Sequence, residues 1–213
     1  KEIEYLCAGA SEYYQRAITP DDVVATYSGV RPLYDDHAAS ASKVTRDFVL
    51  HYETEGGAPI LSVFGGKITT YRELAEEAVA ELAPLFEGLP KTWTRHASLP
   101  GGDIPAANFD AYLSGLVLTH PHLPVEFLTR LARAYGTRTR DLLGDAQTLA
   151  DLGREFGGSL TEREVAWLVD QEFARSAEDI LYRRSKLYLH MTKEEQGAFT
   201  DWFNTSHPVT PPA

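Results

Sequence analysis

The sequence predicts an α+β chain: a fragment of mixed β-sheet over residues 1–86, followed by an all-α C-terminal helical domain over residues 87–213. Two observations point to this division. The β-rich runs "VVATYSGV", "KVTRDFVLHYE" and "APILSVF" all fall in the first part. Beyond the Gly- and Pro-rich connector "EGLPKTWTRHASLPGGDIP" (Glu87–Pro105), the apolar residues follow helical spacing and no strand pattern recurs.

Taken in order, Ile3, Leu6, Cys7, Ala10 and Tyr14 recur at helical spacing and predict an amphipathic opening helix. In "ITPDDV", Thr19 is placed as an N-cap with Pro20 at the first helical position. The β-rich run from Val23 to Val30 follows at once, so that helix is expected to be a single turn. Residues 43–53 alternate Val44, Arg46, Phe48 and Leu50 against Thr45, Asp47, Val49 and His51, which predicts a strand. "TEGG" is a turn, residues 58–64 a short buried strand, and Thr69 to Leu82 a helix. In the second part helices are predicted over about 107–119, 124–135, 139–149, 161–174, 177–190 and 193–204. Capping boxes open three of them, at Thr161 with Glu164, Ser176 with Asp179 and Thr192 with Glu195.

The 213 residues suffice for one large domain or two small ones. A net charge of −11 argues against a nucleic-acid binder, whose phosphate partner needs a cationic face. One cysteine, Cys7, excludes a disulfide framework and a cysteine-based zinc site, and no metal is expected. No apolar run approaches the roughly 20 residues of a membrane span. The chain opens "KEIEYL", without an initiator methionine or a signal-peptide pattern, and a fragment of a longer protein is expected.

Two stretches carry chemistry. "SVFGGKITTYRELAEEA" (Ser62–Ala78) joins a short strand to a helix through two glycines, a lysine and two threonines. Glycines admit close backbone approach, and a helix start offers unpaired N–H groups and positive potential. Lys67 adds a cation there. A polar, electron-rich ring suits such a junction. So does an ordinary turn with a threonine cap and a solvated lysine, and on the short motif alone both readings stand. The G-x-x-x-x-G-K-[ST] phosphate loop is absent. In "TYSGVRPLYDD" (Thr26–Asp36), Pro32 biases Arg31 to an extended backbone. Its guanidinium could clasp a phosphate or carboxylate, or pair with Asp35, Asp36 or Asp47.

"TYSGVRPL", "TRDFVL" and "LSVFGGKITTYRELAE", in this order, resemble the second half of the FAD-dependent, aerobic, quinone-reducing glycerol-3-phosphate dehydrogenases. "SLPGGDI", "ARAYGTRTRDLL" and "AEDILYRRSKLYLHMTKEE" resemble that family's C-terminal helical domain. The resemblance implies that residues 1–86 are the C-terminal portion of the flavin and substrate domain, with FAD as cofactor. It puts Arg31 on the substrate phosphate and Gly65, Gly66, Lys67, Ile68, Thr69 and Thr70 in the flavin-contacting loop, with Lys67 near ring and substrate. The implied reaction oxidises sn-glycerol 3-phosphate to dihydroxyacetone phosphate, with hydride passing to FAD and electrons to quinone. It also implies a cytoplasmic protein with peripheral contact at the inner face of the plasma membrane, and leaves a homodimer open. No G-x-G-x-x-G fingerprint for the FAD pyrophosphate occurs here, so the isolated chain is expected to be inactive, with the proton acceptor outside it. The oxygen-using glycerophosphate oxidases are the nearest alternative within the class, an amino-acid oxidase a more distant one. A non-catalytic helical domain serving dimerisation or membrane docking is the alternative outside it.

Other features have plain readings. His37 and His51 are expected as surface or satisfied histidines. Arg183, Arg184 and Lys186 suggest a solvated face paired with Glu178 and Asp179 more than a lipid contact. Trp93, Trp167 and Trp202 suggest core or rim packing, Tyr13, Tyr14 and Tyr112 core, and "SLPGGD" a domain-linking turn.

Overall fold

The computed structural model describes residues 1–30, 34 and 45–207. They fall into two compact units: one spans residues 26–97, the other joins residues 1–25 to residues from 98 onward.

In the larger unit, α1 spans Glu2–Ser11. Ser11 Oγ donates to the Cys7 carbonyl at 2.7 Å and accepts from Ile18 N–H at 2.8 Å, tying the helix end to the following loop. A single 3-10 turn, Pro20–Asp22, has Thr19 as its cap. Asp22 accepts from Thr19 N–H and pairs with Arg16 at 2.7 Å. These contacts, the amide first, hold its carboxyl down at about 2. Tyr13 and Tyr14 are exposed, not core: they lie at and beyond the end of α1, past its last buried position, Cys7.

The helical core is built from α3 (Phe109–Thr119), α4 (Val125–Tyr135), α5 (Thr139–Leu143), α6 (Glu162–Glu172) and α7 (Lys193–Ser206). Leu116, Leu128, Leu131, Leu143, Val165, Leu168, Ile180 and Phe199 form its fully buried centre. At about 25 cal/mol per Å² of apolar surface, such leucines and phenylalanines each contribute roughly 2 kcal/mol. Two predicted helices are shorter than their patterns. The one at 139–149 stops at Leu143, because Gly144 turns the backbone to φ +57°. A short 3-10 turn resumes at Leu149–Leu152. The one at 177–190 breaks into a π turn over Asp179–Arg184 and a 3-10 turn over Leu187–His190, separated by Lys186 in left-handed backbone.

"SLPGGD" does more than link domains. Gly101 (φ +84°) and Gly136 (φ +55°) press backbone to backbone. A Cβ on Gly101 would lie 2.4 Å from the Tyr135 carbonyl oxygen, and one on Gly136 would lie 1.9 Å from that of Gly101. Thr137 N–H donates to the Gly101 carbonyl at 3.0 Å, and Thr137 Oγ1 donates to Asp103. The Tyr112 hydroxyl closes this corner from inside by donating to the Gly136 carbonyl at 2.7 Å.

Three capping threonines and serines behave as expected, but one box is half open. Ser176 with Asp179 and Thr192 with Glu195 exchange their bonds in both directions. Thr161 caps α6, accepting from Glu164 N–H, yet the Glu164 carboxylate turns inward. It is fully buried and takes Arg130 Nη1 at 2.8 Å and Nη2 at 2.6 Å, with the Tyr135 hydroxyl at 2.7 Å. Arg130 also donates to Ser159 Oγ and to the Ser159 carbonyl, both at 2.8 Å. Burial, then the Glu164 charge, pushes the Tyr135 phenol far above its ordinary range, so it remains a donor.

In the smaller unit, β1 (Phe48–Glu53) and β2 (Ile60–Gly65) pair antiparallel, from Phe48 opposite Gly65 to Glu53 opposite Ile60. Among the described residues this hairpin is the whole sheet. α2 (Tyr71–Leu82) packs on β1. Residues 23–30 form no strand: among the described residues no neighbour supplies a ladder for their backbone groups, and Val24, Tyr27 and Val30 stand in solvent. Residues 60–65 do form a strand, but an uncovered one rather than a buried one, with Ile60, Val63 and Phe64 exposed.

Candidate functional site

The glycine junction leaves β2 at Gly65 and enters a 3-10 turn, Ile68–Thr70, which runs directly into α2. Gly65 and Gly66 have φ of +66° and +91°, a conformation that a side chain disfavours. Gly66 also lies against the start of β1, where a Cβ would come within 3.1 Å of Phe48 Cβ. Thus the turn and the hairpin already require a glycine at 66. Thr70 N–H and Oγ1 both donate to the Lys67 carbonyl, at 3.0 and 2.9 Å, fixing the turn that presents Lys67.

Lys67 Nζ is half-exposed and, among the described residues, pairs loosely with Asp47 Oδ1 at 3.9 Å. So loose a surface pair is worth at most about 1 kcal/mol and leaves the ammonium free to meet another anion. Ile68, 88% exposed, presents an apolar side chain beside it. A cation, a helix start and an open aliphatic side chain together fit the edge and face of a flat heteroaromatic ring that gains negative charge. Gly65, Gly66, Lys67, Ile68, Thr69 and Thr70 therefore form one open corner, whereas Arg31 and His37 lie outside the described residues. His51 is a surface histidine, with Nδ1 3.3 Å from Glu53.

The basic cluster on the helical unit is paired largely as expected. Arg183 bridges Glu178 at 2.8 Å and Asp179 at 2.9 Å, and Lys186 donates to the Arg183 carbonyl. Trp167 packs edge-on to Tyr135 under the Arg138 guanidinium, Trp202 joins Phe156 and Phe199, and Trp93 is exposed. Sequence reasoning missed Arg130 and Glu164. The available signal was phase: Glu164 shares the apolar stripe of Val165 and Leu168, and Arg130 lies between Phe127 and Leu131.

An open glycine–lysine hairpin in one unit and a compact set of helices in the other define the class: an α+β chain with a C-terminal helical domain. The chain belongs to the family described as the C-terminal domain of alpha-glycerophosphate oxidase, whose model matches residues 92–202. It is 46% identical over 98% of its length to D-erythritol 1-phosphate dehydrogenase of Brucella abortus, covering 42% of that protein. It is 42% identical over 94% to aerobic glycerol-3-phosphate dehydrogenase of Escherichia coli, covering 40% of it. With glycerol-3-phosphate dehydrogenase of Pseudomonas aeruginosa it shares 40% identity over 99%, covering 41% of that enzyme. The chain thus spans about two-fifths of the length of the curated relatives it matches. None of its described helices is long and apolar enough to cross a membrane.

Proposed function

We propose that this chain is the C-terminal part of a flavoenzyme that oxidises sn-glycerol 3-phosphate to dihydroxyacetone phosphate and passes the electrons to quinone. Residues 1–86 would complete its flavin and substrate domain, and residues 87–213 would be its helical domain. Two relatives named glycerol-3-phosphate dehydrogenase, matching over nearly the whole chain, carry this reading. FAD, when bound, supplies the acceptor for the hydride leaving C2. Gly65 to Thr70 bring the loop up to the ring edge, and Lys67 holds positive charge where negative charge gathers. Arg31 clasps the substrate phosphate with its planar fork.

A second substrate reading rests on the Brucella relative, whose name specifies D-erythritol 1-phosphate. Both named substrates are polyol phosphates, and a phosphate clamp beside a ring-facing lysine serves either. Oxygen in place of quinone is the alternative acceptor, supported by the oxidase in the family's description. Catalytic silence of the isolated chain follows from the missing G-x-G-x-x-G fingerprint. As a helical interaction domain it would then serve dimerisation or docking at the membrane.

The test is anaerobic bleaching of the flavin in the complete protein that carries this chain. Addition of sn-glycerol 3-phosphate should bleach it, and a short-chain quinone should restore the colour faster than oxygen does. Faster bleaching by D-erythritol 1-phosphate would favour the second substrate, and no bleaching by either polyol phosphate would overturn the proposal. The 213-residue chain alone should purify colourless, and a yellow preparation would contradict its silence.

A further inference from the structure

An open cleft of about 670 Å³ lies in the helical unit between α4 and the end of the π turn. Arg130, Arg133, Arg184, Thr129, Ser185 and Glu126 are among its lining residues. Three arginines line it in a chain whose carboxylates outnumber its cations 31 to 20. They are not equivalent. Arg130 spends its donors on Glu164 and Ser159, which neutralise it. Among the described residues Arg184 donates only Nε, to the Glu172 carbonyl at 2.9 Å, a contact that holds the guanidinium and leaves its terminal N–H groups available. Arg133 is exposed and, among the described residues, makes no hydrogen bond and no ion pair.

Thr129 and Ser185 donate to backbone carbonyls of their own turns, so arginine donors dominate the cleft. One carboxylate, Glu126, opposes them at the rim.

We propose that Arg133 and Arg184 form an anion site for a phosphate group, carried by a soluble phosphomonoester or by a lipid headgroup. Two guanidinium forks can share the oxygens of one phosphate dianion in charge-assisted bonds. Arg184 is pre-oriented by its carbonyl contact, so it loses little freedom on binding. Arg130, already neutralised, shapes the floor.

The test is titration of the 213-residue chain with inorganic phosphate, followed by NMR on the arginine Nε–H signals. Shifts of Arg133 and Arg184 are expected. Replacing both by glutamine (R133Q/R184Q) should weaken binding tenfold or more, as expected for lost charged hydrogen bonds, and E126Q should tighten it. Circular dichroism checks that each variant remains helical. Co-sedimentation with phosphatidylglycerol vesicles, competed by inorganic phosphate and lost in R133Q/R184Q, would assign the lipid source. Retention of glycerol 2-phosphate without vesicle binding would assign the soluble one. Absence of phosphate binding, or binding unchanged in the folded double variant, would overturn the site.

Discussion

Arg130 and Glu164, 34 residues apart in sequence, meet through two hydrogen bonds of 2.8 and 2.6 Å, with the carboxylate wholly removed from solvent. This pair joins α4 to α6 at the edge of a mainly apolar core. Removing one partner strands the other charge. Glu164→Leu should therefore destabilise the chain by about 3 kcal/mol or more, seen in urea melts. Arg130→Met/Glu164→Leu together should cost clearly less than the sum of the two single changes. Additive losses would mean that the pair is not coupled.

The Gly101–Gly136 corner admits no side chain. Gly136→Ala must move the Gly101 backbone and adopt a strained φ, which should cost about 3 kcal/mol. Gly115→Ala, in the middle of α3 with open space around its Cβ position, should be neutral or mildly stabilising. Equal melting temperatures for the two variants would contradict the packing of this corner.

Acid should loosen the helix starts. Asp179 and Asp151 have carboxyls held below their ordinary value of 3.8, chiefly by the backbone amides of Arg175 and Thr148. Their contribution to stability is fully present above that ordinary value. It is lost as pH falls through their lower folded values. Far-UV circular dichroism should show helix loss at lower pH in the wild type than carboxylates of ordinary pKa would give. Asp179→Asn should flatten the acid limb, and an unchanged limb would remove Asp179 from the effect.

In the complete enzyme, Arg31→Lys keeps the charge and loses the fork. The apparent affinity for substrate should weaken by roughly 1–3 kcal/mol, read as a raised KM with a smaller change in kcat. An unchanged KM would take Arg31 off the phosphate.

If Lys67 lies beside the flavin as proposed, Lys67→Met in the same enzyme should lower the flavin potential, because a cation beside the ring favours its reduced, negatively charged form. Spectroelectrochemistry showing an unshifted potential would move Lys67 away from the ring.

Much of this architecture was legible because helical periodicity and local capping agree. α3, α4, α6 and α7 follow their apolar stripes, and Thr161, Ser176 and Thr192 cap where expected. What escaped depends on partners distant in sequence. Val23 to Val30 carry β-forming side chains, but a strand needs a neighbour that the local sequence cannot supply. Glu164 satisfies the spacing of a capping box and is claimed instead by an arginine 34 residues away. The glycine–lysine corner stood out by composition. The requirement of Phe48 for a glycine at 66 depended on strand register, which the run of residues alone did not give.

The wide turn at Asp179–Arg184 has a consequence for phase. Ala177, Ile180 and Leu181 are interior, and a regular helix continued from them would bring position 184 round to the same inward stripe. The bond from Ser185 N–H back to the Ile180 carbonyl spans five residues instead of four, so one extra residue slips into the winding. That offset swings Arg184 outward to water, where a cation belongs. Rewinding this turn as an ordinary α-helix, with no residue removed, would drive Arg184 into the hydrophobic interior. Deleting one residue before it would restore ordinary winding and keep Arg184 in water, with Ser185 taking the inward place.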